Sequence, residues 1–191
     1  SDGEVGEFLI EDLINEINNK DVIPNKKSWK NDIKQLPYHD FKNFEKSQDL
    51  TIDMLNDLHS LGFVIINNLP AKEGVVVNFA ENLGPIRSTN FGKYFDVISK
   101  PNPIDLAYTG LSLSSHSDNP YRKPIPGIQL LHCISNEAEG GDSTLVDGFA
   151  IAKYMEKNEN FFFNILTSTQ ILFRFRDSDV VLENWGKLIE L

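Results

Sequence analysis

The sequence predicts an α+β chain built around a mainly antiparallel sheet or barrel. Three observations lead there. Helical patterns come early in the chain and strand patterns late. Strands and helices do not alternate in the regular way that a doubly wound parallel sheet needs. The 191 residues are 40% hydrophobic and 10% aromatic, a globular composition with room for one well-buried core and a fragment of a second unit.

Taken in order, residues 7–17 carry apolar side chains at Phe8, Leu9, Ile10, Leu13, Ile14 and Ile17, a pattern for a short strand running into a helix. That segment is too small to fold alone and must lean on a neighbour. Residues 21–46 are rich in Lys, Asn and Asp, and Asn25-Lys26-Lys27 and Lys30-Asn31-Asp32 read as solvated loop or linker. A helix follows, capped by Asp49 or Thr51, with Ile52, Leu55, Leu58 and Leu61 as its apolar positions and Gly62 as a left-handed stop. Phe63-Val64-Ile65-Ile66 suits a buried strand. Residues 72–83 read as a second helix closed by Gly84-Pro85. Strands are expected at residues 95–98, 106–108, 128–134 and 143–146; the run 128–134 is apolar with Gln129 and His132 inside it. Gly140-Gly141 supply the positive φ of a tight connection. Residues 148–157 and 159–166 look helical and residues 169–175 extended.

Charge and cysteine content narrow the function classes. Eighteen basic against 28 acidic side chains leave a formal charge of −10. A nucleic-acid binder needs a basic face, so no nucleic-acid partner is expected; a cationic small substrate is compatible. No apolar run approaches twenty residues, so no membrane span is expected. The opening Ser1-Asp2-Gly3-Glu4 is acidic, unlike a signal peptide, and the single Cys133 allows neither an intrachain disulfide nor a cysteine-rich zinc site. A cytoplasmic location is the expectation.

The sharpest local signal is His116-Ser117-Asp118. Two residues apart on an extended segment, the imidazole and the carboxylate share one face. They supply two of the three ligands of the facial triad that holds non-haem Fe(II) with positions left open. Taken alone, the pair also fits a surface loop with a local hydrogen bond. Ser112, Ser114, Ser115, Ser117 and Asn119, then Pro120, Pro124 and Pro126, make the surroundings polar and stiff, as loops that carry sites often are. His132 is rejected as a third ligand: it lies inside an apolar run and reads as a core histidine with one hydrogen bond. His39 and His59 read as surface residues. Arg174 and Arg176 are expected to pair with Asp177 or Asp179.

From the His116 motif the chain continues through Asn119-Pro120-Tyr121-Arg122 and Pro126-Gly127-Ile128-Gln129-Leu130-Leu131-His132-Cys133. Gly140-Gly141-Asp142-Ser143 and Val146-Asp147-Gly148-Phe149 come next. Upstream stand Leu83-Gly84-Pro85-Ile86-Arg87 and Ala107-Tyr108-Thr109; downstream lies the stretch 173–177. This ordered set resembles the γ-butyrobetaine hydroxylase family, within the taurine-dioxygenase-like Fe(II)/2-oxoglutarate oxygenases. The likeness runs through residues 60–190, and residues 1–40 resemble more loosely the end of that family's small N-terminal domain.

The resemblance implies a double-stranded β-helix, the jelly-roll or cupin architecture, with flanking helices and incomplete at its C-terminus. It divides the chain into residues 1–45, a remnant of the N-terminal domain plus linker, and residues 46–191, the N-terminal portion of the oxygenase domain. It makes His116 and Asp118 iron ligands and places Leu131 and Ser143 beside 2-oxoglutarate; Leu131 also fits as a core residue and Ser143 as a plain turn residue. It puts an aromatic cage for a trimethylammonium group at Phe91, Phe95 and Tyr108, positions that ordinary packing in a chain with 13 Phe would also fill. The family favours tyrosine and tryptophan at the first two, so the phenylalanines depart from its pattern. The implied cofactors are Fe(II) and the cosubstrate 2-oxoglutarate, with ascorbate supportive. The implied reaction is hydroxylation of γ-butyrobetaine to L-carnitine; trimethyllysine or another trimethylammonium compound is the alternative substrate. Members often pair, so a homodimer is allowed. The family's second histidine ligand and its 2-oxoglutarate-binding arginine lie downstream, and no histidine follows His132 and no arginine follows Arg176. The zinc-binding cysteines of some members' N-terminal domains are absent too. The expectation is a chain truncated at both ends that binds iron poorly and does not turn over by itself; a non-catalytic remnant is the rival reading.

Overall fold

The computed structural model describes residues 9–18, 24–44, 48–98, 111–136, 139–140 and 142–190. The chain forms two compact units, Ser1–Asn68 and Leu69–Leu191.

The first unit contains α1 (Ile10–Asn18), β1 (Tyr38–Asp40), α2 (Phe41–Phe44), α3 (Gln48–Leu61) and β2 (Ile65–Asn67). The helical part of the 7–17 pattern is present as α1, but Ile10, Leu13, Ile14 and Ile17 stay exposed. α3 matches its expected span. Gly62 ends it at φ 82°, with its N–H donating to Leu58 O at 2.8 Å, as a left-handed stop requires. The packed face of α3 differs from the expected stripe. Met54 is 1% exposed, and Leu58 and Leu61 are half-buried, whereas Ile52 and Leu55 lie exposed. Positions 54, 58 and 61 follow the i, i+4, i+7 rule as well as the expected set does, so periodicity alone does not choose between them.

The segment expected to be a solvated linker is partly structural. Lys27 N–H donates to Ser60 O at 2.7 Å, and Trp29 Nε1 donates to Leu61 O at 2.8 Å. Both acceptors belong to the last turn of α3, whose carbonyls have no partner within the helix. Trp29 also meets Phe63 edge-on at 5.2 Å. Further along, β1 pairs parallel with β2 in the register Tyr38↔Ile65, His39↔Ile66, Asp40↔Asn67. His39, expected at the surface, has a side chain only 16% exposed and bonds through Nε2 to Asp57 Oδ2 of α3 at 3.0 Å. His59 is exposed, as expected.

The second unit contains α4 (Val75–Leu83), α5 (Gly148–Asn158), α6 (Asn160–Ser168), β3 (Ile171–Arg176) and β4 (Val181–Gly186). The expected helix from residue 72 starts three residues later, after Gly74 at φ 79°. Asp147 caps α5 by accepting from Ala150 N–H at 3.1 Å. β3 and β4 form an antiparallel hairpin in which Phe173 faces Asn184 and Phe175 faces Leu182. Its turn is closed by Asp177 N–H to Val180 O at 2.9 Å. Phe79 of α4 and Phe163 of α6 are the buried apolar side chains of this unit among the described residues. No helix among the described residues is long and apolar enough to cross a membrane.

The α+β class is observed. Several expected strands are not. Residues 95–98, 128–134 and 143–146 belong to no ladder among the described residues, and residues 106–108 lie outside them. An apolar run becomes a strand only through a hydrogen-bonded neighbour. The run 128–134 has none there, and Ile128 and Leu131 are exposed. Gly140 takes the anticipated positive φ, 85°; Gly141 lies outside the described residues. The described ladders are two, each of two strands. The double-stranded β-helix therefore stays an expectation drawn from the resemblance.

Candidate functional site

His116 and Asp118 sit on a loop of the second unit, and their side chains do converge. His116 Nδ1 lies 2.6 Å from Ser114 O. A carbonyl oxygen only accepts, so Nδ1 carries the proton and donates it. The other nitrogen, Nε2, stands 3.4 Å from Asp118 Oδ1. Both side chains are about half exposed. With a neutral imidazole, a lone pair faces a carboxylate oxygen. At that spacing both atoms can offer lone pairs to one shared cation. A histidine with its far nitrogen held by a backbone carbonyl is the arrangement that orients an imidazole toward a metal. Among the described residues no group of three or more His, Cys, Asp or Glu side chains is placed to hold a metal ion. The pair is thus a two-donor arrangement open on the solvent side.

The chain turns immediately after it. Asn119 has φ 55°, a left-handed conformation that asparagine tolerates. Tyr121 OH donates to the Asn119 side-chain carbonyl, and Arg122 N–H donates to Asn119 O at 3.1 Å. From β4, Asn184 Nδ2 donates to Pro120 O at 3.0 Å. The hairpin therefore holds the segment that directly follows Asp118.

Aromatic rings extend from that segment. Tyr121 stacks on Phe175 of β3 with centroids 5.1 Å apart and planes at 29°. Phe175 meets Phe91 edge-on at 5.7 Å, and Phe91 meets Phe95 at 5.5 Å. Phe91 is presented by a tight turn in which Thr89 and Gly92 exchange two backbone hydrogen bonds of 2.9 Å, and Thr89 Oγ1 accepts from Phe91 N–H at 3.0 Å. Arg122 is buried, donates through Nη2 to the Asn90 side-chain carbonyl, and lies 5.6 Å over the Tyr121 ring.

Of the residues singled out from the sequence, His116 and Asp118 are in contact, and so are Phe91 and Phe95. Tyr108 lies outside the described residues. Leu131 and Ser143 are exposed on irregular segments, and neither bonds to the His116–Asp118 pair among the described residues. The ring nitrogens of His132 are both shielded from solvent and have no hydrogen-bond partner among the described residues, so the single bond expected for it is not made. Arg174 pairs with Glu183 Oε1 at 2.6 Å, its cross-strand neighbour, in place of Asp177 or Asp179. The hairpin explains this: antiparallel register puts residues 174 and 183 opposite each other. Sequence reasoning missed Asn90, Tyr121, Arg122, Phe175 and Asn184. Tyr121-Arg122 is part of the motif run and Phe175 of the downstream stretch 173–177; Asn90 and Asn184 are joined to them only by the fold.

The sequence profile of the family described as "Taurine catabolism dioxygenase TauD, TfdA family" matches residues 29–186. The gamma-butyrobetaine dioxygenase of Pseudomonas sp. (strain AK-1) is 35% identical over 154 residues, covering 81% of this chain and 40% of that protein. The human gamma-butyrobetaine dioxygenase is 34% identical over 162 residues, covering 82% and 41%. The trimethyllysine dioxygenase of Meyerozyma guilliermondii is 34% identical over 137 residues, covering 70% and 34%. The chain spans about two fifths of the length of the gamma-butyrobetaine dioxygenases it matches.

Proposed function

The chain belongs to the taurine catabolism dioxygenase TauD, TfdA family, and from that premise we propose that the polypeptide carrying it hydroxylates a trimethylammonium substrate, using Fe(II) and 2-oxoglutarate. γ-Butyrobetaine, giving L-carnitine, is the substrate we assign. The observation that carries the reading is the His116–Asp118 pair, with Nδ1 held by Ser114 O and Nε2 turned toward the carboxylate at 3.4 Å. His116 and Asp118 would hold the iron. When bound, Fe(II) with 2-oxoglutarate and dioxygen supplies the chemistry that places a hydroxyl on an unactivated carbon, the cosubstrate leaving as succinate and carbon dioxide.

The protein's own part is binding and orientation. The Ser114 carbonyl keeps the imidazole in one tautomer and one direction. We assign Leu131 and Ser143 to 2-oxoglutarate, where a hydroxyl can orient an anion without adding charge. A trimethylammonium group has no N–H to donate, so ring faces are its natural partners, at about 0.5–2 kcal/mol per ring. Phe91 and Phe95, already in contact, are two such faces, and Tyr108 is assigned as the third. The relatives named for γ-butyrobetaine and for trimethyllysine support the substrate class at similar identity.

The test is succinate release by the full natural polypeptide with Fe(II), 2-oxoglutarate and ascorbate, comparing γ-butyrobetaine, trimethyllysine and taurine. Stimulation by γ-butyrobetaine is expected. Stimulation by trimethyllysine alone would move the assignment to the second substrate. A response to taurine alone, or to none of the three, would overturn the trimethylammonium reading.

A further inference from the structure

We propose that Arg122 is a positioning residue that sets where a trimethylammonium group sits, by tying the Phe91–Phe95 turn to the loop of His116 and Asp118. The proposal rests on the trimethylammonium reading above. Arg122 is 8% exposed and has no carboxylate partner among the described residues. A buried guanidinium without a counter-ion is costly, so its contacts should explain its presence. Its Nη2 donates to the side chain of Asn90, 32 residues earlier, inside the turn that presents Phe91. Its Cζ lies 5.6 Å over the ring of Tyr121, three residues after Asp118. Arg122 itself stands on the loop that follows Asp118, next in sequence to Tyr121, so its Nη2 bond to Asn90 is what ties that loop to the turn of Phe91. Phe175 of β3 links the same two segments, stacking on Tyr121 and meeting Phe91 edge-on.

The arrangement also selects among the rings. Phe91, Phe95, Phe175 and Tyr121 form one connected series, and Tyr121 would be the stronger cation partner of the four on ring chemistry. Arg122 already occupies a face of Tyr121, and its positive charge repels a second cation there. The substrate cation is left to Phe91 and Phe95. Two phenylalanines then suffice at the binding end because the more electron-rich ring is committed to the arginine.

The test is calorimetric binding to the full natural polypeptide, wild type against Arg122→Ala, Arg122→Lys and Asn90→Ala. The probes are γ-butyrobetaine, butyltrimethylammonium, which has the same cation and no carboxylate, and 2-oxoglutarate. Misplacing a cation–π pair predicts about tenfold weaker binding of both trimethylammonium probes in Arg122→Ala and in Asn90→Ala. 2-Oxoglutarate should bind all variants within about twofold of wild type, and Arg122→Lys should recover part of the loss, since it keeps the charge but not the planar fork. Unchanged affinity for the trimethylammonium probes would overturn the proposal. Loss for γ-butyrobetaine alone would also overturn it, showing that Arg122 contacts the carboxylate directly. Parallel weakening of 2-oxoglutarate would reduce Arg122 to a general structural role. If Arg122→Ala does not fold, Asn90→Ala carries the same test by removing the other end of the bond. If wild type binds neither trimethylammonium probe, the substrate reading itself fails, a result read before any variant is compared.

Discussion

His116 is aimed by its own backbone. The Ser114 carbonyl two residues earlier takes the Nδ1 proton, and Asp118 two residues later receives the Nε2 face. All the geometry of this pair lies within five residues, which is why it is legible in the sequence. The same locality makes it easy to test. Both side chains are half exposed and belong to no core, so removing either should leave the fold alone. In the full natural polypeptide, His116→Ala or Asp118→Ala should abolish iron-dependent succinate release while the far-ultraviolet dichroism stays that of wild type. Retained turnover in either variant would refute the assignment as ligands. The contacts of Arg122, Asn90 and Phe175 were invisible for the opposite reason. Arg122 and Asn90 lie 32 residues apart, and Phe175 meets their neighbours Tyr121 and Phe91 from a third segment, so no local period encodes these contacts. His132 was misjudged because an apolar run says where a side chain lies and nothing about which partner its nitrogens will find.

Among the described residues every helix but the one-turn α2 was legible, whereas of the four strands β2 and β3 were legible and β1 and β4 were not. A helix satisfies its backbone within itself, so periodicity, caps and stops suffice to draw it, as α3 and its Gly62 stop show. A strand is defined by a neighbour elsewhere in the chain. β1 is three residues inside a stretch of linker composition, and only β2 reveals it. Residues 128–134 have the composition of a buried strand and no ladder among the described residues. Two substitutions at the level of α3 should separate packing from backbone effects, both read as shifts in the urea midpoint. Met54→Ala removes the most buried large side chain among the described residues and should cost about 2–5 kcal/mol, the range for core Met or Leu truncation. Gly62→Ala meets nothing within 4 Å of the new Cβ, so its cost is the positive φ alone, about 1 kcal/mol. On β3, Arg174→Ala breaks an ion pair in which both side chains are about half exposed, and should cost under about 1 kcal/mol. If Arg174→Ala proved as damaging as Met54→Ala, the hairpin and not α3 would carry the chain's stability.

For the molecule as a whole, two opposing features decide how the 191-residue polypeptide behaves in solution. The described residues bury few apolar side chains, Met54, Phe79 and Phe163 with Pro37, while Leu131, Phe149, Phe161 and Trp185 are more than half exposed. Surfaces of that kind attract partners or further copies. The net charge of −10 pushes copies apart. Which effect wins depends on ionic strength, because exposed charges are screened beyond about 10 Å at 0.1 M salt whereas apolar association is not. At low salt and pH 8 the polypeptide should therefore sediment mainly near its 21.6 kDa monomer mass and bind a hydrophobic dye. Raising the salt, or lowering the pH toward the sequence pI of about 4.8, removes the repulsion and should shift it to larger species. The sign is fixed by the acidic excess: a charge-driven pairing of opposite patches would instead weaken as salt rises. A dye-silent monomer at every salt concentration would mean that these side chains cover one another in solution. Dissociation with added salt would mean that copies meet through charge, and the apolar surface would then have no part in assembly.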